Sequence, residues 1–278
     1  MGHESKVRDY YSNAVHCYES IMGQTWHHGD PEAEARGASQ LEAAQVLEDK
    51  VIAASGLRPN QRAIEFGAGV GGAMLYMAKT SGAYFVGLSN NEDLNQRARQ
   101  HAEKAGLSDR TMFLTVGDND YRTLLAFADG SIDAVIFYES VCHLTDKAAF
   151  FRAAFRVLKP TGRLVGVDWL QRPFGDNKTF EQIMKYMGPV NETTQIPWHG
   201  TVKSYREMME GAGFNMEMAS DLFEGIKCWG GAPKEQVPQW LNYEGPAAEV
   251  FRQGKLALDA AREAGVFTVG MFVGAKPG

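Results

Sequence analysis

Cysteine and long apolar runs are both scarce in this chain of 278 residues. It has three cysteines, Cys17, Cys142 and Cys228, and an odd, widely spaced set predicts neither a disulfide framework nor a zinc site. Such thiols are typical of a reduced, cytoplasmic protein. Because no apolar run is long enough to cross a bilayer, we expect no membrane span. The first residues also lack the apolar stretch of a signal peptide.

Positive charge is in short supply as well. Lys and Arg number 28 against 34 Asp and Glu, which gives a net charge of −6. A protein that binds a phosphate backbone needs a basic surface, so we expect no nucleic-acid partner. No Asp-Asp-x-x-Asp run is present to hold Mg²⁺, and the basic residues of 170–245 are scattered. We therefore expect an apolar, uncharged small-molecule substrate and no metal site.

Short apolar runs alternate with helical stretches through the middle of the chain. Apolar residues make up 44% of the sequence, which is enough for a packed core. The runs that predict strands are 63–66, 84–88, 112–114, 134–137, 164–167 and 267–273. Helical patterns lie at 72–80, 93–105, 146–157 and 246–264. This alternation predicts an α/β fold with parallel strands and helices on both faces.

The first 60 residues are predicted to form a helical arm. Tyr10 and Tyr18 recur at helical spacing and share one face of a first helix. A second helix should begin at Ser39, because Ser39 and Glu42 have the spacing of a capping box. The aromatic face of the first helix can dock on a neighbouring subunit, forming a homo-oligomer, or fold back on its own domain. The sequence leaves both arrangements open.

Residues 171–245 interrupt the alternation with many prolines, glycines and aromatic residues. Such a segment can form a substrate lid over a ligand crevice, or a connecting subdomain whose aromatic residues fill only its own core. If it is a lid, Trp169, Tyr186 and Trp198 are candidates to contact the substrate. The predicted organisation is an arm over 1–60, a ligand-binding core over 61–170, the inserted lid, and a closing helix and strand over 246–278.

A glycine-rich loop follows the first predicted strand and precedes a helix. Glu65 is followed by Gly67, Gly69 and Gly72, which suits close approach of a ligand at the carboxyl end of a parallel strand. The same glycine spacing occurs in dinucleotide-binding proteins. Glu65, however, would repel a pyrophosphate and attract an ammonium group. A tight surface turn without a ligand is the alternative interpretation.

A second acidic position narrows the choice of ligand. Gly117 and Asp118 follow the third predicted strand, where an acidic side chain can accept a hydrogen bond from an adenine amine. A ligand that has an ammonium, a ribose and an adenine but no phosphate is S-adenosylmethionine. We therefore predict this cofactor over NAD.

Four segments of the chain resemble the sterol methyltransferase-like C-methyltransferases, class I S-adenosylmethionine-dependent enzymes that act on isolated alkenes. The segments are 66–74, 86–92, 138–143 and the aromatic region 10–28. Within this group the chain is most similar to enzymes of secondary metabolism that methylate a prenyl chain on an indole alkaloid, of the teleocidin type. The resemblance implies a Rossmann-like, seven-stranded, mostly parallel sheet.

The resemblance also implies positions for the cofactor. It places the ribose hydroxyls at Ser89 and Asn90, with Asn91 beside them, and it places Tyr138 at the cofactor. Many methyltransferases have an acidic residue at the end of the second strand. An amide can still bond hydroxyls through its oxygen and its NH₂ group.

Glu139 and His143 follow the fourth predicted strand, next to the expected cofactor crevice. Methylation of an alkene leaves a carbocation, which a carboxylate and aromatic faces stabilise in a dry pocket. We predict Glu139 as the cation stabiliser and His143 as proton acceptor or orienter, facing each other if this stretch is helical. We expect Tyr10 and Tyr18 to line the pocket. Alternatively, Glu139 caps a strand or joins a buried ion pair, and His143 is structural.

Three other functions stay open from the sequence. One is O- or N-methylation of another small molecule, which the same core would support. The second is an NAD(P)-dependent oxidoreductase, and the third is a binding protein or cyclase that keeps the cofactor only as structure.

Overall fold

The structure, a computed structural model, describes residues 2–117, 124, 126–175, 178–228 and 236–278. Its strands are β1 (Arg62–Phe66), β2 (Tyr84–Ser89), β3 (Thr111–Thr115), β4 (Ile132–Tyr138), β5 (Leu158–Gln171), β6 (Asn215–Asp221) and β7 (Phe267–Ala275). Its helices are α1 (His3–Met22), α2 (Pro31–Ala35), α3 (Gln40–Ser55), α4 (Gly72–Ser81), α5 (Glu92–Ala105), α6 (Lys147–Val157), α7 (Phe180–Thr194), α8 (Val202–Ala212), α9 (Gln236–Leu241) and α10 (Ala248–Glu263). Within these ranges, no helix has the length and apolar character needed to cross a bilayer.

The strands form one seven-stranded sheet in the order β3-β2-β1-β4-β5-β7-β6. Neighbouring strands pair in parallel except at β7, which runs antiparallel to both β5 and β6. The predicted α/β fold with a mostly parallel sheet is confirmed. The strand order reverses at β1, which pairs with β2 on one side and β4 on the other. The loops that leave the carboxyl ends of these strands therefore meet at one edge.

The side chains of β4 alternate between two cores, one on each face of the sheet. Ala134 and Ile136 join the core shared with α3, α4 and α7, whereas Val135 and Phe137 join the core shared with α6 and α8. A strand that is buried on both faces gives a continuous apolar run in the sequence. This is why each central strand could be recognised as a short block of apolar residues.

Helix α1 packs against the C-terminal part of its own chain. Ala14 and Cys17 are buried beside Phe251 of α10, and the rings of Tyr10 and Tyr18 pack around them. The Tyr10 and Phe251 ring centres are 5.7 Å apart in an edge-to-face arrangement. Of the two placements that the sequence left open, the aromatic face here folds back on its own domain. A homo-oligomer formed through this helix stays a prediction.

The segment 171–245 does more than cover a crevice. It contains β6, which pairs with β7 and completes the sheet, and α8, which covers one sheet face. It contributes to the wall of the cavity described below through Thr194 at the end of α7 and Trp240 of α9. That the segment acts as a substrate lid stays a prediction.

Candidate active site

The glycine loop lies at the end of β1, where the strand order reverses. The backbone N–H of Gly67 donates to the carbonyl of Leu88 in β2 at 2.9 Å. Gly67 has a φ of +79°, and a Cβ at this position would lie 2.3 Å from the Cβ of Ser140. Only glycine permits both the turn and this close approach. At Gly72 a Cβ would lie 2.1 Å from the carbonyl oxygen of Gln24, so the segment before α2 packs directly on the loop.

A cavity of about 240 Å³ opens beside this loop. Its wall combines the loop with the ends of β2 and β4, the inner face of α1 and one side of α10. The predicted site residues on this wall are Tyr10, Tyr18, Glu65, Gly67, Gly69, Ser89, Asn90, Tyr138, Glu139, His143 and Trp169. The fold thus brings residues predicted for the cofactor, the chemistry and the substrate to one cavity.

Two aromatic residues predicted for the substrate lie away from the cavity wall. Tyr186 packs against the core beneath α7. Trp198 is 37% exposed, and its indole N–H donates to the carbonyl of Thr145 at 3.2 Å. Neither side chain is among those that line the cavity, because α7 turns one face to the core and Trp198 follows the end of that helix.

Two predicted cofactor residues also lie off the wall. The Asn91 oxygen caps α5 by accepting from the N–H of Asp93 at 2.9 Å, and its NH₂ group donates to Ser12 at 2.8 Å. The side chain of Asn91 is therefore committed to fixing α5 and α1. Gly117 is not among the lining residues, and Asp118 lies outside the described residues.

Glu139 follows β4 in the left-handed backbone region, with a φ of +47°. Its side chain is 8% exposed. The backbone N–H of His28 donates to Oε1 at 2.9 Å, and Nδ1 of the His28 ring lies 3.0 Å from both carboxylate oxygens. Burial acts to raise the pKa of Glu139, but the charge and hydrogen bonds of His28 and the charge of His27 hold it below its ordinary value. Glu139 is therefore an anion inside the cavity at neutral pH.

His143 lies in a 3₁₀ turn, Val141–His143, so the helical alignment with Glu139 does not occur. Its Nε2 is 2.9 Å from the Tyr11 hydroxyl, and its Nδ1 is 3.2 Å from the carbonyl of Gln195. Because a carbonyl can only accept, Nδ1 carries the proton and Nε2 accepts from Tyr11. Burial lowers the pKa of His143 to about 4. The ring is thus neutral at neutral pH, and its Nε2 is bound to the Tyr11 hydroxyl.

Glu65 is buried at the end of β1. Its Oε2 has no hydrogen-bond partner within the described residues. Burial raises the pKa of this carboxyl to about 8, although the charge of His27 opposes the shift. A buried carboxyl with one open oxygen is stabilised by a cationic donor and destabilised without one.

The sequence match lies over the central part of the chain. A methyltransferase domain family matches residues 64–166. A 24-methylenesterol C-methyltransferase 2 from Oryza sativa subsp. japonica is 33% identical over 164 residues, which cover 59% of this chain and 43% of that relative. The chain thus spans less than half the length of the first curated relatives that it matches.

Solved structures match over nearly the whole chain. The [4+2]-cyclase SpnF has a TM-score of 0.80 at 21% identity, covering 99% of this chain and 97% of that one. A second match is a geranyl diphosphate C-methyltransferase from Streptomyces coelicolor, solved with Mg²⁺, geranyl diphosphate and S-adenosyl-L-homocysteine. Its TM-score is 0.72 at 15% identity, and the match covers 99% of this chain and 98% of that one. At these identities the likeness shows the fold.

The chain contains a class I S-adenosylmethionine-dependent methyltransferase domain. The prediction of S-adenosylmethionine as cofactor is confirmed by this domain, and polar groups that suit its ammonium and ribose lie on the cavity wall. The open Oε2 of Glu65 can accept from its ammonium group. Ser89 and Asn90 bring hydrogen-bonding side chains to the wall at the end of β2, where sugar hydroxyls can bind.

Two side-chain pairs in this methyltransferase site were not predicted from the sequence. The aromatic N-terminal region was expected at the pocket, but no pattern paired His28 with Glu139 or Tyr11 with His143. The adjacent pair His27-His28 was a usable signal, since His27 is buried against Tyr138 with ring centres 4.2 Å apart. The contact of His28 with Glu139, however, joins residues 111 positions apart, and no local pattern reports such a pair.

Proposed function

We propose that this chain transfers a methyl group from S-adenosylmethionine to an alkene carbon of a prenyl or terpenoid small molecule in secondary metabolism. The identity to a sterol C-methyltransferase supports this function. The cofactor supplies an electrophilic methyl group. The alkene forms the new C–C bond, and the positive charge passes to the substrate. Loss of a proton or ring closure then completes the reaction.

The observation that carries the proposal is the ionised, buried carboxylate of Glu139. An alkene is a weak nucleophile, and its attack leaves a carbocation that needs a fixed negative charge nearby. In a site that excludes water, such a charge acts more strongly than in solution. Since His28 holds both oxygens of Glu139 in place, the charge need not reorganise when the cation forms.

Aromatic rings on the same wall complete the cation-stabilising surface. Tyr10 and Tyr18 from α1 and Trp169 from β5 all border the cavity. Each aromatic face that meets a desolvated cation contributes about 0.5–2 kcal/mol. The rings also exclude water, which would otherwise trap the cation as an alcohol.

The cofactor is proposed to lie along the carboxyl ends of β1 and β2. The residues assigned to it are Glu65, Gly67, Gly69, Ser89, Asn90 and Tyr138, with Gly117 and Asp118 toward the adenine. In this assignment Glu65 holds the ammonium group, and the glycines let the backbone approach closely. Asn91 supports the site by capping α5 and binding α1.

His143 is proposed to act on protons through Tyr11. Its Nε2 accepts the Tyr11 hydroxyl hydrogen bond, so it orients the Tyr11 oxygen toward the cavity that both residues line. When the substrate cation loses a proton, the Tyr11 oxygen can accept it as the Tyr11 proton passes to Nε2 of His143. The low pKa of His143 makes this a transient acceptor and not a storage site for a proton.

Glu139→Gln tests the proposal, because the amide keeps the shape of the side chain and removes its charge. We expect kcat for methylation of a prenyl alcohol to fall by about 100- to 1000-fold, with S-adenosylhomocysteine affinity nearly unchanged. Glu103→Gln, at an exposed position of α5, is the control. Equal losses of kcat and cofactor affinity in Glu139→Gln would show that Glu139 is structural.

Product analysis separates this function from the alternatives. NMR of the product made with a ¹³C-labelled methyl donor should place the label on carbon. A label on oxygen or nitrogen would instead identify an O- or N-methyltransferase.

We also propose a cytoplasmic location, because Cys17, Cys142 and Cys228 are free thiols, as in reducing compartments.

A further inference from the structure

Glu34 of α2 is, besides Glu65, a second buried carboxyl on the cavity wall that has one oxygen without a hydrogen-bond partner among the described residues. It is 5% exposed, it borders the cavity, and its Oε2 has no hydrogen-bond partner in the described part of the chain. The mechanism above gives it no role. A buried carboxyl in this state carries a desolvation penalty that a bound donor would remove.

Backbone contacts locate Glu34 relative to the reacting centre. The N–H of Gly29 donates to the Glu34 carboxyl, and the N–H of the preceding residue, His28, donates to Glu139. The two carboxyls are therefore held by consecutive N–H groups of one short segment. Glu34 and Glu139 also line the same cavity, and the charge of Glu139 acts on the Glu34 carboxyl.

The positive charges near Glu34 do not fully offset the effect of burial on its pKa. Burial raises the pKa of its carboxyl to about 7, although the Gly29 hydrogen bond and the charge of Arg262 oppose the shift. The basic groups of α10 on this wall, Lys255 and Arg262, both bind Asp259. Their charge is thus shared with another carboxylate.

We propose that Oε2 of Glu34 accepts a hydrogen bond from an N–H or O–H group of the substrate. The substrate class is then a prenyl or terpenoid chain joined to a head that carries a hydrogen-bond donor, such as a hydroxyl, an amine or an amide. This inference rests on the proposed function for the identity of the chain. It specifies the head, on which the proposed function is silent.

The cofactor does not account for this second open carboxyl. Its single ammonium group is assigned to Glu65, and its ribose and adenine to the ends of β2 and β3. Glu34 belongs to α2, and the charges that act on it are those of Arg262 in α10, Asp30 and Glu139. A diphosphate head also fits poorly, because its negative charges would lie beside Glu34 and Glu139 and repel both.

Three probes that share one chain test the assignment: geraniol, geranyl methyl ether and geranyl diphosphate. In the ether a methyl group replaces the hydroxyl hydrogen, so the oxygen can still accept a hydrogen bond but no longer donates one. With S-adenosylhomocysteine bound, we expect geraniol to bind the wild type about 10-fold tighter than the ether. Geranyl diphosphate should bind more weakly than geraniol. Calorimetry supplies the affinities without relying on turnover.

Variants of Glu34 locate the preference. Glu34→Leu should reduce the geraniol-to-ether ratio to about 1, since no acceptor remains. Glu34→Gln keeps the shape of the side chain and so serves as a check against a folding defect. Because its amide oxygen can still accept a hydrogen bond, it should bind geraniol tighter than the ether by a smaller ratio than the wild type. Glu32→Gln is the matched control, because Glu32 lies in the same helix with its side chain 75% exposed. Its ratio should equal that of the wild type.

The outcomes separate the two proposals. Equal binding of geraniol and ether, a ratio unchanged in both Glu34 variants, tighter binding of the diphosphate, or no binding of any probe would overturn the Glu34 assignment. Methyl transfer is measured separately with the same probes. If the Glu34-dependent preference is present but no probe is methylated on carbon, the assignment stands and the proposed function fails. Carbon methylation without that preference would support the proposed function and overturn the assignment.

Discussion

The ends of β1 and β4 present two buried carboxyls to one cavity, and the two are in opposite states. Glu65 ends β1 with one open oxygen and a pKa raised to about 8. Glu139 follows β4 with both oxygens bound by His28 and a pKa held below the ordinary value. Burial penalises ionisation at both positions. The hydrogen bonds of His28 to Glu139, which Glu65 lacks, therefore account for the difference between the two pKa values.

This difference suits two kinds of positive charge. The cofactor brings a stable cation, its ammonium group, which can bind the unpartnered oxygen of Glu65. A carboxyl with an unpartnered oxygen at this position therefore favours cofactor binding. A carbocation exists too briefly to recruit a partner and needs an anion that is already ionised and fixed. The protein thus leaves one carboxyl unsatisfied for a ligand and satisfies the other for a transition state.

Gly69→Val, in the glycine loop that follows β1, should have the largest effect of the predicted substitutions, because it should prevent cofactor binding beside Glu65. Gly69 has a φ of +54°, and its Cβ position is 3.5 Å from the Trp26 ring. A branched side chain would strain the backbone and occupy the cofactor space. We expect S-adenosylhomocysteine affinity, measured by calorimetry, to fall by more than about 100-fold.

The control for this variant has the same backbone strain without the cavity. Gly106 has a φ of +67° and no atom within 4 Å of its Cβ position. Gly106→Val should lower stability by about 1–2 kcal/mol and leave cofactor affinity as in the wild type. Retained binding in Gly69→Val would contradict the placement of the cofactor at this loop.

His28→Ala should make Glu139 resemble Glu65, a buried carboxyl whose pKa is raised by burial. Without the imidazole, Glu139 keeps only the backbone N–H of residue 28 and the charge of His27 to oppose burial. Its pKa should therefore rise, and more of the carboxyl should be protonated at slightly acid pH. We expect methyl transfer at slightly acid pH to fall by about 100-fold and to recover in part as the pH rises. The measurement is a pH profile of kcat.

His16→Ala serves as the control for that profile, because His16 is exposed on α1. It should show the wild-type pH dependence. A His28→Ala profile parallel to that of the wild type would mean that Glu139 keeps its charge without His28, and the contrast with Glu65 would then lose its cause.

Much of the fold could be predicted because its signals are local. The central strands are apolar on both faces, and the Ser39–Glu42 capping box begins α3 as predicted. Strand β6 was missed because Asn215–Asp221 is an edge strand that is only partly buried. Its pairing with β7 depends on residues far along the chain, so its own sequence carries no apolar run.

The site likewise has features that the sequence predicts and features that it does not. Residues at strand ends, such as Glu65 and Glu139, could be assigned to the cavity because parallel strands bring their carboxyl ends together. The contacts that set their chemistry are long-range: His28 with Glu139, and Tyr11 with His143, are 111 and 132 positions apart. Sequence pattern locates such groups on elements, but only packing pairs them.

Glu65→Gln has the smallest expected effect on affinity and addresses the comparison most directly. At neutral pH the wild-type carboxyl, with its pKa near 8, is mostly protonated before the cofactor binds. The ammonium group lowers that pKa, so binding should release about one proton, and affinity should rise as the pH increases toward 8. The amide cannot release this proton, and losing the charge-assisted bond should weaken S-adenosylhomocysteine binding about 10-fold.

Calorimetry in two buffers with different ionisation enthalpies measures the released proton. The wild-type heat should differ between the buffers, and the Glu65→Gln heat should not. Glu139→Gln is the informative control: its carboxyl is already ionised before binding, so removing it should leave the proton release intact. Buffer-independent heat in the wild type would show that Glu65 stays in one protonation state, and it would then resemble Glu139 despite its open oxygen.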